Sequence, residues 1–191
     1  MAKKILILMG SPKKNGNTAT LSEWFAEGAR AKGAKVETVY TAYLKYKSTG
    51  CTSCRACQRS KKYECVINDD ARKVLIKMIS ADVIVMASPL YFYTVSAQLK
   101  LVMDRMFSLF KWDNTTNEFT TPLKGKTLVF LGTAYEDVGM DVFKAPFKIT
   151  ADYAGMKFKA LLAANSGESG DIKKLKGMKE KAVAFGKKAA A

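Results

Sequence analysis

Four cysteines lie close together in this chain, at Cys51, Cys54, Cys57 and Cys65, and the sequence contains no others. Their spacing is C-x2-C-x2-C-x7-C, so three thiols can face one point while the fourth closes a set of four ligands. Four thiolates of this kind hold a [4Fe–4S] cluster or a zinc ion. The continuous C-x2-C-x2-C run favours iron–sulfur, because structural zinc usually takes two separate C-x-x-C pairs. We therefore predict a metal site at these cysteines, with zinc and inert thiols as the alternatives.

The chain contains no histidine. This excludes Ser-His-Asp and Cys-His nucleophile pairs, and it also excludes His-ligated zinc and haem. If the protein is an enzyme, we expect an external cofactor to supply the reactivity, with no catalytic side chain required.

A loop with the sequence GSPKKNGNTATL, residues 10–21, follows the first apolar run of the chain. Gly10 and Gly16 allow the backbone to turn closely around a ligand. Asn17 and Thr18 fall at the predicted start of a helix, where free N–H groups and the helix dipole favour a phosphate. The spacing matches neither G-x-x-x-x-G-K-[ST] nor G-x-G-x-x-G. We predict a phosphate site here rather than an ordinary strand-to-helix turn, because the polar groups converge at the end of a buried strand.

Five strand-like segments alternate with helical patterns along the chain. A continuous apolar run indicates a strand that is buried on both faces of a parallel sheet. The predicted strands are residues 4–9, 35–40, 83–87, 127–131 and 158–164. Apolar residues at helical spacing predict the intervening helices, at about residues 21–33, 71–81, 95–106, 140–153 and 171–188. Asp69 and Asp70 are expected to cap the second helix, and Pro146 is expected to kink or divide the fourth.

This alternation predicts a parallel sheet with right-handed crossovers and helices on both faces. Ligands of such sheets bind outside the carboxyl ends of the strands, where the strand order reverses. The loops after the first, third and fourth predicted strands are therefore the expected binding loops, and the cysteine segment follows the second strand beside them. Asp104 and Arg105, on the third predicted helix, are interpreted as a surface pair or an interface contact.

The composition sets broader limits on the protein. A length of 191 residues with 48% hydrophobic residues is sufficient for one domain with a substantial core. The net charge of +15 attracts polyanions, which include nucleic acids and phosphate-bearing cofactors. The sequence has no helix-turn-helix, RNP or zinc-finger pattern. We find neither a secretory signal nor an apolar run of about 20 residues, so we expect a cytoplasmic protein.

The sequence resembles the flavodoxin-like NADPH-dependent FMN reductases and their iron–sulfur flavoprotein branch over essentially its whole length. The loop GSPKKNGNT is similar to the FMN phosphate loop of that family, and ASPLYFYTVSAQLKLVMDR is similar to the segment that borders the flavin ring. GCTSCRACQRSKKYECVINDD resembles the cysteine insert of the iron–sulfur branch. LLAANSGESGDIKK resembles the C-terminal strand and turn.

This resemblance implies a single flavodoxin-like FMN-binding domain over residues 1–191, with a cysteine-rich insert at about 47–68. The implied fold is α/β, with a doubly wound five-stranded parallel sheet in the order 2-1-3-4-5. It also implies which residues bind the cofactor. They are Ser11, Lys13, Asn15, Asn17, Thr18, Pro89, Leu90, Tyr91, Phe92, Tyr93, Gly132 and Thr133.

The implied function is an FMN-binding oxidoreductase that moves electrons between a reduced donor such as NAD(P)H, the flavin and a [4Fe–4S] cluster. One alternative is a cluster-free NAD(P)H:flavin or quinone reductase. Another is a basic nucleic-acid-binding or regulatory protein on a flavodoxin scaffold. The expected partners are a small-molecule or protein electron donor and acceptor and further copies of the chain in a homodimer or homotetramer, with neither a membrane nor a nucleic acid among them.

Overall fold

The centre of the protein is a sheet of five parallel strands, seen in a computed structural model that describes all 191 residues. The strands are β1 (Lys4–Met9), β2 (Lys35–Tyr40), β3 (Val83–Pro89), β6 (Thr127–Thr133) and β7 (Lys157–Ala163). Their order is β2-β1-β3-β6-β7. Two short antiparallel strands, β4 (Lys111–Trp112) and β5 (Phe119–Thr120), form a separate hairpin. The predicted flavodoxin-like order 2-1-3-4-5 is therefore confirmed, since the hairpin does not join the main sheet.

Five α-helices cover the two faces of this sheet. They are α1 (Asn17–Arg30), α2 (Asp70–Ser80), α3 (Ala97–Arg105), α4 (Met140–Tyr153) and α5 (Met178–Ala190). The apolar run of β1 supplies both cores, because successive side chains of a strand point to opposite faces. Ile5 and Ile7 pack in the core of α1 and α5, whereas Leu6 and Leu8 pack in the core of α2, α3 and α4.

Helices α1 and α5 cross at unusually close range. A Cβ atom added at Gly28 would lie 2.0 Å from the carbonyl oxygen of Val183, and one added at Gly186 would lie 1.9 Å from that of Phe25. Each helix therefore presents a glycine where the backbone of the other helix passes. This contact fixes α1, whose N-terminus forms part of the site described below.

The structure excludes division of the fourth helix at Pro146 and shortens the last predicted helix. Pro146 does not divide α4, which continues through it from Met140 to Tyr153. The predicted last helix over 171–188 is instead a short 3-10 turn at Asp171–Lys174 followed by α5. Gly177 separates the two in a left-handed conformation, with φ of 74°, so the chain cannot continue there as one helix.

The segment between β2 and α2 has little regular structure. It contains two 3-10 turns, Thr41–Tyr43 and Ala56–Arg59, and is otherwise irregular up to the start of α2. The predicted helix cap is confirmed, because Asp69 Oδ1 accepts a hydrogen bond from the Arg72 N–H at 3.1 Å. None of the helices combines the length and the apolarity that a membrane span requires.

Candidate functional site

A cavity of about 320 Å³ opens at the carboxyl ends of β1, β3 and β6. This volume is in the range of ligand pockets in proteins. Its walls come from the loop after β1, the segment after β3, the end of β6 and the loop after β7. The lining residues are Ser11, Lys13, Gly16, Asn17, Thr18, Pro89, Leu90, Tyr91, Thr133, Ala134, Tyr135, Ser166, Gly167 and Ser169.

The start of α1 leaves backbone donors free in this cavity. Gly16 is the N-cap residue and provides no side-chain cap, and the first turn of the helix contains no acidic residue. The backbone N–H groups of Asn17 and Thr18 have no acceptor within the chain. Unpaired N–H groups and the positive end of the helix dipole favour an anion at this position. Lys13 lines the same cavity and adds a positive charge.

The side chain of Asn17 has a different role from the predicted phosphate contact. Its Nδ2 donates hydrogen bonds to the carbonyl oxygens of Ser166 at 2.6 Å and Glu168 at 2.8 Å. Its Oδ1 accepts hydrogen bonds from the N–H groups of Gly170 at 2.9 Å and Ile172 at 3.3 Å. The side-chain amide is fully used in holding the loop after β7 against the loop after β1. Only the backbone N–H of Asn17 remains available to a ligand.

Two hydroxyl groups join α1 to the end of β6. The Oγ1 atoms of Thr18 and Thr133 lie 2.7 Å apart in a hydrogen bond, and both residues are buried in the cavity wall. Gly132 lies outside the cavity lining, because a Cβ at that position would meet Leu162 and Phe143 in the core. Asn15 is exposed and also lies outside the lining.

The aromatic segment after β3 forms a tight turn at the mouth of the cavity. Tyr91 and Thr94 pair through two backbone hydrogen bonds, of 2.9 and 3.0 Å. Between them Phe92 and Tyr93 have φ values of 46° and 60°, in the left-handed region that side chains normally avoid. Phe92 is almost fully exposed, at 98%. Such strain is frequent at ligand sites, where surrounding structure holds it in place.

An apolar groove of about 360 Å³ adjoins the cavity. Leu90, Ala134 and Tyr135 line both spaces, and Phe92 and Tyr93 line only the groove. The predicted cofactor residues after β3 are therefore divided between two adjacent surfaces. Pro89, Leu90 and Tyr91 face the cavity, and the next two residues face the groove beside it.

All four cysteines line a second, much smaller cavity of about 20 Å³. No group of three or more histidine, cysteine or acidic side chains has a spacing that would hold a metal ion. The thiols thus share one wall without converging on a point. Hydrogen bonds from the Ala56 N–H and the Thr52 hydroxyl lower the pKa of Cys54, whereas burial raises the pKa of Cys57.

Arg105 also lines the cysteine cavity, contrary to its interpretation as a surface residue. Its Nη1 donates to Asp69 Oδ2 at 2.7 Å, and the two side chains are only 0% and 1% exposed. Its Nη2 donates to the Ile67 carbonyl oxygen at 2.9 Å. Asp104 pairs instead with Lys100 on the surface of the same helix. The predicted Asp104–Arg105 surface pair is therefore wrong.

The structure also connects the two cavities through α3. Ser96, at the N-terminal end of this helix, donates a hydrogen bond to the Gly10 carbonyl oxygen at 2.8 Å, beside the first cavity. Arg105, its last residue, lines the cysteine cavity. Nine helical residues span roughly 14 Å at 1.5 Å per residue. One helix thus sets the separation between the two sites.

The types of donor present suit both groups that the sequence predicts, but the four thiols do not converge on a common point in this structure. The first cavity provides unpaired N–H groups for a phosphate and an apolar rim for a flat ring. The second provides four thiols in one wall and an unpaired buried nitrogen, Arg105 Nε.

A five-stranded sheet in this order, with a ligand cavity at the carboxyl ends of its central strands, defines a flavodoxin-like protein. The family model for NADPH-dependent FMN reductase matches residues 3–164. The chain therefore belongs to the NADPH-dependent FMN reductase family.

Two curated relatives carry the name iron–sulfur flavoprotein. The one from Methanocaldococcus jannaschii is 37% identical over 102 residues, which are 53% of this chain and 51% of the relative. The one from Archaeoglobus fulgidus is 34% identical over 103 residues, which are 54% of this chain and 45% of the relative. The matched regions thus span about half the length of these relatives.

Solved structures share the fold at low sequence identity. The NAD(P)H:quinone oxidoreductase from Methanothermobacter marburgensis has a TM-score of 0.72 and 15% identity, covering 100% of this chain and 98% of that one. The FMN-dependent NADH-azoreductase from Bacillus anthracis, solved in complex with FMN, has a TM-score of 0.70 and 14% identity, with complete coverage of both chains. These similarities establish the fold.

Proposed function

We propose that the protein is an FMN-dependent, NAD(P)H-linked oxidoreductase and that its four cysteines hold a [4Fe–4S] cluster. The observation that carries the flavin assignment is the cavity at the end of β1, where the N–H groups of Asn17 and Thr18 have no acceptor. Membership of the FMN reductase family supports the same assignment. The shared cysteine cavity and the names of the two curated relatives support the cluster.

In this proposal, each wall of the first cavity contacts a different part of FMN. The start of α1, with Ser11 and Lys13, binds the FMN phosphate. Leu90 and Tyr91 lie against the edge of the ring, and the end of β6 at Thr133 closes the opposite side. FMN, when bound, accepts two electrons together and can release them one at a time, and the protein supplies the binding and the orientation.

The groove beside the cavity provides a place for the electron donor or a flat acceptor. Its aromatic walls at Phe92 and Tyr93 suit a planar ring, because aromatic side chains stack on such rings with favourable geometry. No side chain on the groove needs to transfer a proton. A cytoplasmic homodimer or homotetramer remains our expectation for the assembled protein, and sedimentation equilibrium measures it.

A cluster-free NAD(P)H:flavin or quinone reductase is the second candidate. It is favoured by the arrangement of the thiols, no three of which are placed to hold a metal ion, and by a family model that matches the chain as a flavin reductase. In this case the cysteine loop serves only as a surface segment near α3.

Anaerobic purification followed by measurement of FMN, iron and acid-labile sulfide tests both candidates. We expect bound FMN and about four irons per chain, the content of one [4Fe–4S] cluster. A variant with all four cysteines replaced by serine should retain FMN and lose the iron. A yellow, iron-free protein would support the cluster-free reductase, whereas a protein without affinity for FMN would overturn both.

A further inference from the structure

One buried cation forms part of the wall around the four cysteines. The Arg105 side chain is 0% exposed, and it lines the cavity together with all four thiols. Asp69 accepts from its Nη1, and the Ile67 carbonyl oxygen accepts from its Nη2. The Cys65 thiol lines the same cavity as the guanidinium group.

The third guanidinium nitrogen, Nε, has no hydrogen-bond partner. It is the only buried side-chain nitrogen or oxygen of the protein in this state. A buried donor without an acceptor destabilises the fold, so folded proteins rarely leave one. The other two nitrogens hold the group rigidly, which prevents Nε from turning towards a different acceptor. An acceptor that occupies the cysteine cavity would remove this cost.

We propose that Arg105 is a positioning residue for the iron–sulfur cluster, whose Nε–H donates a hydrogen bond to a sulfur atom in the cysteine cavity, with Cys65 as the candidate acceptor. This inference rests on the proposed function, since it requires a cluster at these cysteines. Arg105 itself gains and loses neither an electron nor a proton. Asp69 acts through Arg105 by fixing the direction of the guanidinium plane.

The charge of Arg105 has a predictable effect on electron transfer. Uptake of one electron makes a cluster with four thiolate ligands more negative by one charge. A hydrogen bond to a ligand sulfur and a fixed positive charge beside it stabilise that reduced form, because hydrogen bonds to the sulfurs and local charge set cluster potentials. Arg105 therefore raises the reduction potential and helps to retain the iron.

The substitution Arg105→Lys tests this role, because it keeps the charge that Asp69 requires and removes the directed Nε donor. Arg72→Lys is the matched control. Arg72 pairs with Glu64, the neighbour of Cys65, but does not line the cavity. Both variants are compared with the wild-type holoprotein after anaerobic purification. The measurements are iron and sulfide content, cluster reduction potential, iron release to a chelator, FMN content and the midpoint of urea unfolding.

We expect Arg105→Lys to retain FMN and to unfold at a somewhat lower urea concentration, because the hydrogen bond to the Ile67 carbonyl oxygen is lost. Its cluster potential should decrease and its iron release should accelerate about tenfold, the size typical of lost partners of metal ligands. Arg72→Lys should match the wild type. If Arg105→Lys does not fold, the neutral pair Asp69→Asn with Arg105→Gln provides the same comparison without a lone buried charge.

Three results would overturn the inference. A variant at Arg105 with the wild-type potential and iron release would overturn it alone, leaving the cluster assignment intact. A parallel loss of FMN, stability and iron would show that Arg105 acts only on the fold. A wild-type protein without iron or sulfide would overturn the cluster assignment itself, and the role of Arg105 with it.

Discussion

Asp69 is the residue whose ionisation most affects the fold around the cysteine loop. Burial alone would raise its pKa, but hydrogen bonds from the Arg105 guanidinium and from the Lys47 and Arg72 N–H groups lower the pKa to about 2. Because this pKa lies below the ordinary value of 3.8, folding favours the ionised form. The stabilisation is complete above about pH 4 and is lost as the pH falls towards 2.

We expect Asp69→Asn to lower the free energy of unfolding at pH 7 by about 3–5 kcal/mol, because it leaves Arg105 buried without its charge partner. The free energy of unfolding of the variant should also fall less between pH 4 and pH 2 than that of the wild type, because the variant lacks the Asp69 carboxyl group. Urea unfolding at a series of pH values measures both effects. The substitution Asp70→Asn is the control, because Asp70 pairs with a lysine at the surface, and it should change the free energy of unfolding little. Equal effects of the two substitutions would contradict the buried ion pair.

Asn17 should contribute to FMN binding through its position rather than by contact with the phosphate. Asn17→Ala removes four hydrogen bonds that hold the loop after β7. We expect the dissociation constant for FMN to rise about tenfold, equivalent to about 1.4 kcal/mol, as measured by quenching of flavin fluorescence. Thr20→Ala, on the same helix and outside the cavity lining, is the control. An unchanged dissociation constant for Asn17→Ala would show that the loop is positioned by other contacts.

The residues hardest to predict were those whose partners lie far away in sequence. Arg105 follows the acidic residue Asp104 on a helix, so the sequence predicts a surface ion pair between the two. Its actual partner, Asp69, lies 36 residues earlier and was predicted only as a helix cap. Asp69 performs both roles, with one carboxylate oxygen for the cap and the other for Arg105. The residue type of Asp69 was sufficient to predict the helix cap. The contact between Asp69 and the Arg105 guanidinium group depends on the fold and could not be predicted from a local pattern.

At the scale of elements, replacing a glycine at the contact between α1 and α5 should destabilise the protein, although helix propensity alone predicts a stabilisation. Gly186→Ala would stabilise an isolated helix by about 1 kcal/mol. Here its Cβ would overlap the Phe25 carbonyl oxygen, so we expect a loss of about 1–3 kcal/mol or more. Thermal and urea unfolding measure the change. Lys187→Ala, at the adjacent exposed position, should be nearly neutral, and a stabilised Gly186→Ala protein would contradict the close crossing.

Strands β1, β3 and β6 could be predicted because each contains a continuous apolar run buried between two layers, whereas the edge strands β2 and β7 are less apolar and less buried. The predicted bounds of β1 and β2 agree with the structure, and those of β3, β6 and β7 differ by one or two residues. The β4–β5 hairpin was missed, since two-residue strands carry no periodic signal. The cysteine loop was identified by composition alone. Its path depends on α3 and on the buried pair, neither of which a local pattern describes.

At the scale of the whole molecule, the charge of +15 should speed the capture of FMN. We expect the association rate to decrease several-fold as salt is raised well above about 0.1 M, where the screening length is about 10 Å, while the dissociation rate changes little. Stopped-flow fluorescence separates the two rates. Lys13→Ala should slow association more than Lys188→Ala, which removes the same charge at a residue outside the cavity lining.

Equal effects of Lys13→Ala and Lys188→Ala would indicate that the total charge, rather than the local lysine, attracts the cofactor. Binding measurements with duplex DNA over the same range of salt concentrations test the alternative that the protein binds nucleic acid. Steeply salt-dependent binding to duplex DNA without retention of flavin would support that alternative. If the protein binds flavin and has no affinity for duplex DNA, the positive charge serves solubility and capture of the cofactor.

The Asn17 amide joins the loop after β1 to the loop after β7, across 149 to 155 residues. A ribosome must therefore have released the residues up to Ile172 before this pocket can close. Nascent chains stalled before Ser166 should be unable to retain flavin, however well their first strands have formed. Loading with the cofactor is accordingly expected to follow synthesis of the loop after β7 rather than synthesis of the first strands.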